Sequence, residues 1–168
     1  MIRASESAFS HPRLNHVVAD TRALPFAERF DKAVSTNSIV PPSRNDVVAM
    51  YKSIYNALKK DGSLIAYLPS FDLCADMLEK HEFLRPLFEE RMDPEQCRFL
   101  DTVGWQCFHT QALIFDELEK AGFRRENIGI QIVGCDSREE AEDLGNLYHL
   151  PSDLMMKEFS CYFVKARR

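Results

Sequence analysis

The sequence is poor in glycine, and its few glycines lie far apart. Six glycines occur among the 168 residues, about half of the share that is usual in proteins. No two of them form a G-x-G pattern, so the sequence contains neither a P-loop nor a dinucleotide-binding fingerprint. Phosphate binding through either of these glycine-rich loops is therefore excluded.

Long apolar runs and paired cysteines are also missing. No stretch approaches the roughly 18 consecutive apolar residues of a membrane span, and the first residues lack the apolar run of a secretory signal. The five cysteines form no C-x-x-C pattern and no metal-ligand spacing with histidine. We therefore expect a cytoplasmic protein with reduced thiols, no metal site and no membrane association. The cysteines are Cys74, Cys97, Cys107, Cys135 and Cys161.

Basic residues are too few for electrostatic binding to nucleic acid. The net charge is −5, which leaves no cationic excess to neutralise a phosphate backbone or an anionic membrane. The hydrophobic share of 45% and the charged share of 28% are typical of a folded globular protein. No linker divides the chain, so residues 1–168 are predicted to form one domain.

Short apolar runs that are typical of strands alternate with helical patterns. Val47, Met50, Ile54 and Leu58 recur at helical spacing, which predicts a helix that begins at Ser43 or Asn45 and ends at Gly62. Strands connected by helices in this way indicate an α/β fold with a mostly parallel sheet. The predicted strands are Asn15–Ala19, Phe30–Ser35, Leu64–Leu68, Ile128–Val133 and Lys157–Lys165.

The later helices carry their own start and stop signals. Thr110 is suited to cap a helix that closes at Gly122, and Ser137 begins a capping box before a short acidic helix. The residues from Phe71 to Arg91 also have a helical pattern, and Cys97–His109 is rich in aromatic residues.

Four segments, in order, resemble the class I S-adenosylmethionine-dependent methyltransferases. They are Val17–Phe26 (V-V-A-D-T-R-A-L-P-F), Phe30-Asp31, Leu58–Ile65 (L-K-K-D-G-S-L-I) and Phe159–Lys165. The resemblance implies a partial Rossmann-like sheet with an antiparallel last strand. It also implies transfer of a methyl group from S-adenosylmethionine to a small molecule or a protein side chain.

The sequence departs from the family pattern at its beginning. The family's glycine-rich loop and its ribose-binding acidic residue precede the segment at Val17, and this sequence has neither. Asp61 also replaces the first of two glycines that are usual at that point. We therefore expect a domain that begins after the family's first two strands and that binds S-adenosylmethionine weakly or not at all on its own.

Three arrangements would accommodate the two absent strands. Another chain supplies them, or the Val17 strand pairs directly with the Val34 strand, or the sequence is part of a longer protein. Unpaired strand edges predict association with a second copy or with a complementary chain. The alternatives to an enzyme are a non-catalytic methyltransferase-like module that binds a partner through an exposed sheet edge, and an unrelated α/β binding domain.

The resemblance assigns four residues to the cofactor site. Asp20 and Thr21 match the positions where a carboxylate and the following backbone N–H meet adenine, which needs an acceptor beside a donor. Ser35 and Asn37 match the strand end beneath the methylsulfonium, near the acceptor. The structural alternative is that Asp20 caps the following turn and that Ser35 and Asn37 close another. No general base is assigned, because methyl transfer depends mainly on positioning.

Three aromatic residues lie in the region where the family places elements that cover the substrate. They are Trp105, Phe108 and His109. The alternative is that they belong to the hydrophobic core, since large aromatic side chains mostly contribute buried area.

Overall fold

The structure is a computed structural model that describes residues 11–148, 151–158 and 160–168. Its strands are Phe30–Thr36 (β1), Leu58–Pro69 (β2), Met92–Asp93 (β3), Arg98–Asp101 (β4), Gly104–Cys107 (β5), Ile128–Gly134 (β6) and Ser160–Arg167 (β7). Its α-helices are Arg44–Ala57 (α1), Phe71–Lys80 (α2), Arg85–Phe88 (α3), Gln111–Ala121 (α4), Arg138–Tyr148 (α5) and Ser152–Glu158 (α6). Short 3-10 helices span Thr21–Ala23, Glu82–Leu84, Glu89–Arg91 and Arg125–Asn127.

Four strands form the main sheet, in the order β1-β2-β7-β6. β1 and β2 are parallel, and β7 is antiparallel to both β2 and β6. Three strands therefore share one direction, and the last strand of the chain runs against them. This confirms the predicted α/β fold with a mostly parallel sheet, an antiparallel last strand and flanking helices. A separate, smaller sheet is antiparallel throughout and has the strand order β3-β4-β5.

The two faces of the main sheet differ in their cover. Along β2, Leu64, Ala66 and Leu68 are fully buried in a core shared with the apolar faces of α1 and α4. The residues between them point to the other face, because side chains alternate along a strand. On that second face Tyr67 is 37% exposed, and it pairs with Phe163 at 5.2 Å between ring centroids. We call the two sides the covered face and the open face.

The segment Asn15–Ala19 is not a strand, so that prediction is wrong. Val17 and Val18 are 58% and 82% exposed, and β1 pairs with β2 alone within the described part of the chain. An apolar run becomes a strand only where a neighbouring strand takes up its backbone hydrogen bonds, and none of the described strands lies beside Val17. The proposed direct pairing between the Val17 segment and the Val34 strand does not occur.

Helix α1 begins as predicted but ends earlier than Gly62. It closes at Ala57, and Leu58 turns to an extended conformation and is fully buried as the first residue of β2. Burial of Leu58 in the core outweighs the helix-ending signals that follow it. The left-handed residue is Asp61, with φ of 66°, whereas a Cβ on Gly62 would lie 2.9 Å from the carbonyl oxygen of Lys59. Gly62 is thus required for space rather than for a helix end.

Most of the other predicted helix starts and ends are confirmed. Thr110 accepts a hydrogen bond from the Leu113 amide at the start of α4, and Gly122 ends that helix with φ of 115°. Ser137 accepts from the Glu140 amide at the start of α5. The helical pattern from Phe71 is interrupted at His81, so it forms α2, α3 and short turns rather than one helix.

The predicted start of the last strand at Lys157 is wrong. Helix α6 continues to Glu158, and β7 begins at Ser160. Phe159, which is part of the resemblance, lies outside the described residues.

Candidate functional site

An apolar cavity lies at the carboxyl ends of β1 and β2. The space among its lining residues is about 690 Å³, a figure that includes the part open to solvent. Asn37, which follows β1, and Pro69 with Ser70 at the end of β2 are among its lining residues. This is the edge at which open α/β sheets bind their ligands. The cavity is the described chain's best candidate for a small-molecule site.

Aromatic rings from three elements form one wall of this cavity. Phe88, Phe99 and Phe108 lie in a row, with centroid distances of 5.7 Å and 5.4 Å between successive rings. The guanidinium of Arg91 lies 4.9 Å from the centroid of Phe99. Sequence analysis had placed Phe108 in a substrate-covering region, and Phe108 does line the cavity.

Trp105 and His109 lie elsewhere than Phe108. Trp105 is not among the cavity residues, and the guanidinium of Arg98 lies 5.2 Å from its ring centroid. His109 is completely buried, with its Nε2 3.0 Å from the carbonyl oxygen of Ile39. The His109 backbone also joins the end of β2, because its N–H donates to the carbonyl of Pro69. His109 is thus part of the structural support beneath the cavity.

A buried ion pair between helices α1 and α4 anchors the aromatic wall. Arg44 donates from Nη1 to Glu117 Oε1 at 3.2 Å, and only 2% of Glu117 is exposed. Arg44 also donates to the carbonyl oxygens of Cys97, at 2.7 Å, and of Phe108. One side chain at the start of α1 therefore fixes the loop that carries Phe108.

Sequence analysis missed this ion pair, although a signal for it exists. Glu117 falls on the same helical stripe as Ile114, Leu118 and Ala121, which are all buried. A charged residue on an apolar stripe is an indication that it has a buried partner. The identity of that partner, 73 residues away in the sequence, could not be read from spacing.

Asp20 binds a neighbouring arginine. Its carboxylate accepts hydrogen bonds from the backbone N–H of Arg22 at 2.9 Å and from Arg22 Nη2 at 2.8 Å. These contacts cap the 3-10 helix Thr21–Ala23, and the hydrogen bonds from Arg22 lower the pKa of Asp20 to about 2. Arg22 also reaches Asp46 at 3.3 Å. Asp20 is therefore an ionised acceptor, with its side chain half-exposed beside the sheet.

The other assigned residues fall into two groups. Thr21 and Ser35 line a groove of about 850 Å³ beside β1, which we call the β1 groove. Asn37 lines the apolar cavity instead. Its backbone is left-handed, with a φ of 47°, and its N–H donates to the carbonyl oxygen of Tyr67 at 3.0 Å. Ser35 Oγ lies 3.3 Å from Ser38 Oγ, so both serines shape the turn after β1.

The residues present fit only part of S-adenosylmethionine. An adenine edge requires an acceptor beside a donor, and Asp20 and Thr21 have these groups, but both carboxylate oxygens of Asp20 already accept hydrogen bonds from Arg22. Strand β1 contains a single carboxylate, that of Asp31, and its Oδ1 already forms an ion pair with Lys59 Nζ at 3.0 Å. A ribose would therefore find no free carboxylate on this strand.

Metal and membrane sites are not found among the described residues. No group of three or more histidine, cysteine, aspartate or glutamate side chains is arranged to hold a metal ion. None of the helices in the described ranges has both the length and the apolar character needed to cross a bilayer.

Comparison with solved structures agrees with this architecture. An S-adenosylmethionine-dependent methyltransferase from Methanosarcina mazei matches 99% of the chain and 76% of its own length, with 17% identity and a TM-score of 0.65. The chain has the class I methyltransferase fold. A methyltransferase of this cofactor class from Mesorhizobium loti matches 100% of the chain and 76% of its own length, with 14% identity and a TM-score of 0.63.

A third similar structure contains a protein partner. It is a complex of the Trm112 methyltransferase activator with a proposed methyltransferase from Haloferax volcanii, at 13% identity and a TM-score of 0.63. The match covers 99% of this chain and 67% of that one. No model of a known protein family matches the sequence, and no curated protein matches it either.

Proposed function

We propose that this methyltransferase fold transfers a methyl group from S-adenosylmethionine to an acceptor held in the apolar cavity. The observation that carries the proposal is the position of the cavity, at the carboxyl ends of the parallel strands β1 and β2. Asp20 and Thr21 would bind the adenine, and Ser35 and Asn37 would lie beneath the sulfonium. Asn37 is the one of the four that lines the cavity itself.

The chain's task in this reaction is to hold and orient the acceptor. Held by Asp20, Thr21, Ser35 and Asn37, S-adenosylmethionine would supply an electrophilic methyl group to the acceptor, with its sulfur as the leaving group and the acceptor's proton passing to solvent. The apolar walls would exclude water from the acceptor, and the described residues that line the cavity include no ionisable acid or base other than cysteine thiols. Positioning without a general base is sufficient, because orientation alone contributes much of such a rate.

The cofactor site is proposed to be completed at the outer edge of β1. This edge has no neighbouring strand within the described ranges, and the β1 groove beside it is largely lined by apolar side chains such as Leu24 and Phe26. Strands from a second chain, or from a further segment of the same polypeptide, would supply the ribose carboxylate. The described chain alone should therefore bind the cofactor weakly.

A site-resolved titration tests this proposal even if the affinity is low. S-Adenosylhomocysteine at millimolar concentration should shift the backbone NMR signals of Asp20, Thr21, Ser35 and Asn37. S-Inosylhomocysteine, which lacks the adenine amino group, should leave Asp20 unshifted. Unchanged signals at all four residues, or shifts confined to a distant element such as α5, would overturn the assignment.

The second candidate is a non-catalytic module that binds a partner chain through the edge of β1. The exposure of Val34, which is 68%, favours it, because this residue lies on β1 next to the unpaired edge. The two candidates differ in one measurement. A partner-binding module would associate through β1 and show no adenosyl-dependent shifts, whereas the transferase would show those shifts.

A further inference from the structure

Within the described part of the chain, the side chains that line the apolar cavity carry no formal charge. They include no lysine, arginine, histidine, aspartate or glutamate, and Arg91 lies against the Phe99 ring without being a lining residue. The polar side chains in it are those of Asn37, Ser70 and Ser160. Ser70 is 1% exposed, and its Oγ already accepts a hydrogen bond from the Leu73 amide at the start of α2. The cavity therefore offers little to compensate a buried ionic group, which binds only where it is paired.

Sulfur-containing side chains also line this cavity. Met77 comes from α2, Met92 from β3 and Met155 from α6, and Cys74 and Cys161 add two thiols. Burial raises the pKa of Cys74 to about 12 and also raises the pKa of Cys161, so both thiols are uncharged at neutral pH. Thioethers and thiols make favourable contacts with aromatic rings, and methionine adapts its shape to different ligands.

We propose that the cavity binds an uncharged aromatic small molecule, with its polar atom at the mouth beside Asn37. This inference rests on the proposed function, because it assigns the chemical class of the methyl acceptor. The ring would lie between the phenylalanine row and the sulfur atoms, where apolar surface is removed from water on both sides. The Asn37 amide, which is exposed at the mouth, would contact the heteroatom of the acceptor.

A matched pair of probes tests the requirement for an uncharged ligand. N-Phenyl-1-naphthylamine and 1-anilinonaphthalene-8-sulfonate share one ring system and differ by a sulfonate. Fluorescence titration should show that the chain binds the uncharged probe at least tenfold more tightly than the sulfonate. Equal affinity for the two probes would contradict the proposal.

Substitutions locate the binding. Met92→Glu puts a charge into the cavity at a half-buried position and should weaken binding of the uncharged probe at least tenfold. The control Met156→Glu changes a 40% exposed methionine outside the lining and should leave binding unchanged. Val34→Lys, on the exposed strand β1, should also leave it unchanged.

The controls decide between the cavity and the exposed sheet. Binding that survives Met92→Glu, or that is lost in Val34→Lys, would overturn the proposal. Circular dichroism verifies that each variant is folded, and Met77→Glu on α2 replaces Met92→Glu if the latter does not fold. The experiment uses no cofactor. If the cavity binds the probe but S-adenosylhomocysteine shifts none of the four NMR signals, the proposed function is refuted and the site for an aromatic molecule still stands.

Discussion

Successive residues of β2 meet two different surroundings. Leu68 is completely buried on the covered face, under helices α1 and α4, whereas its neighbour Tyr67 is 37% exposed on the open face. The side chains of the covered face pack against these helices in a continuous hydrophobic core. The open face and the edge of β1 carry exposed apolar side chains such as Val34 and lack a comparable cover. Stability is thus concentrated on one side of the sheet, and we place partner binding on the other.

The largest difference between the faces should be seen in paired truncations on β2. Leu68→Ala should lower the free energy of unfolding by about 4 kcal/mol, because it leaves a cavity in a packed core. Tyr67→Ala should lower it by about 1 kcal/mol or less, since it loses one exposed ring contact with Phe163. Urea denaturation measures both values. Equal losses would mean that the open face is covered in solution.

The buried ion pair should be the next most sensitive feature of the covered side. Glu117→Gln leaves the Arg44 guanidinium without its buried counter-ion, so we expect a loss of about 3 kcal/mol in unfolding free energy. The control is Glu119→Gln on the same helix, which removes an exposed pair with Arg125 and should cost about 0.5 kcal/mol or less. A Glu117→Gln variant as stable as the control would show that Arg44 holds the aromatic wall without its partner.

The sequence predicted the order of the elements better than the site that they form. Apolar runs and caps near Val34, Leu64 and Thr110 depend on local patterns, and these patterns persist in the structure. The Val17 segment failed because a strand needs a neighbour, which no local pattern reveals.

The cavity could not be predicted for a related reason. Met77, Met92 and Met155 come from three separate elements, and each is unremarkable in its own sequence context. The Arg44–Glu117 pair likewise depends on tertiary packing. Of the four assigned site residues, Ser35 and Asn37 lie at the end of β1 as expected, whereas Asp20 and Thr21 follow a segment that is not a strand. The role of all four in cofactor binding is still our proposal.

The open side should make the chain associate at high concentration. Val34→Lys places a charge next to the unpaired edge of β1, a common protection of natural sheets against edge pairing. Light scattering should show association of the unmodified chain and at least a tenfold weaker association of the variant, with unfolding free energy changed by about 0.5 kcal/mol or less. A monomeric unmodified chain at high concentration would contradict this expectation.

The smallest effect should come from the ion pair at Asp20. The hydrogen bonds from Arg22 lower the pKa of Asp20 from 3.8 to about 2 in the folded chain. Because the folded-state pKa is the lower one, the stabilising contribution is present above pH 3.8 and is lost as the pH falls towards 2. NMR titration of the Asp20 carboxyl measures the pKa, and Arg22→Gln should return it towards 3.8. A pKa unaffected by Arg22→Gln would show that Arg22 does not bind Asp20 in solution.

The account depends most on the claim that the ends of β1 and β2 form one site for the methyl donor and its acceptor. The direct measurement is the set of intermolecular nuclear Overhauser effects between S-adenosylhomocysteine and chain labelled at its methionine methyl groups and at Asn37. We predict contacts from the ligand's homocysteine protons to the Asn37 side chain and to Met92, with none to Met156. Contacts to Met156 without contacts to Asn37 or Met92, or no contacts at a ligand concentration that shifts other signals, would contradict it.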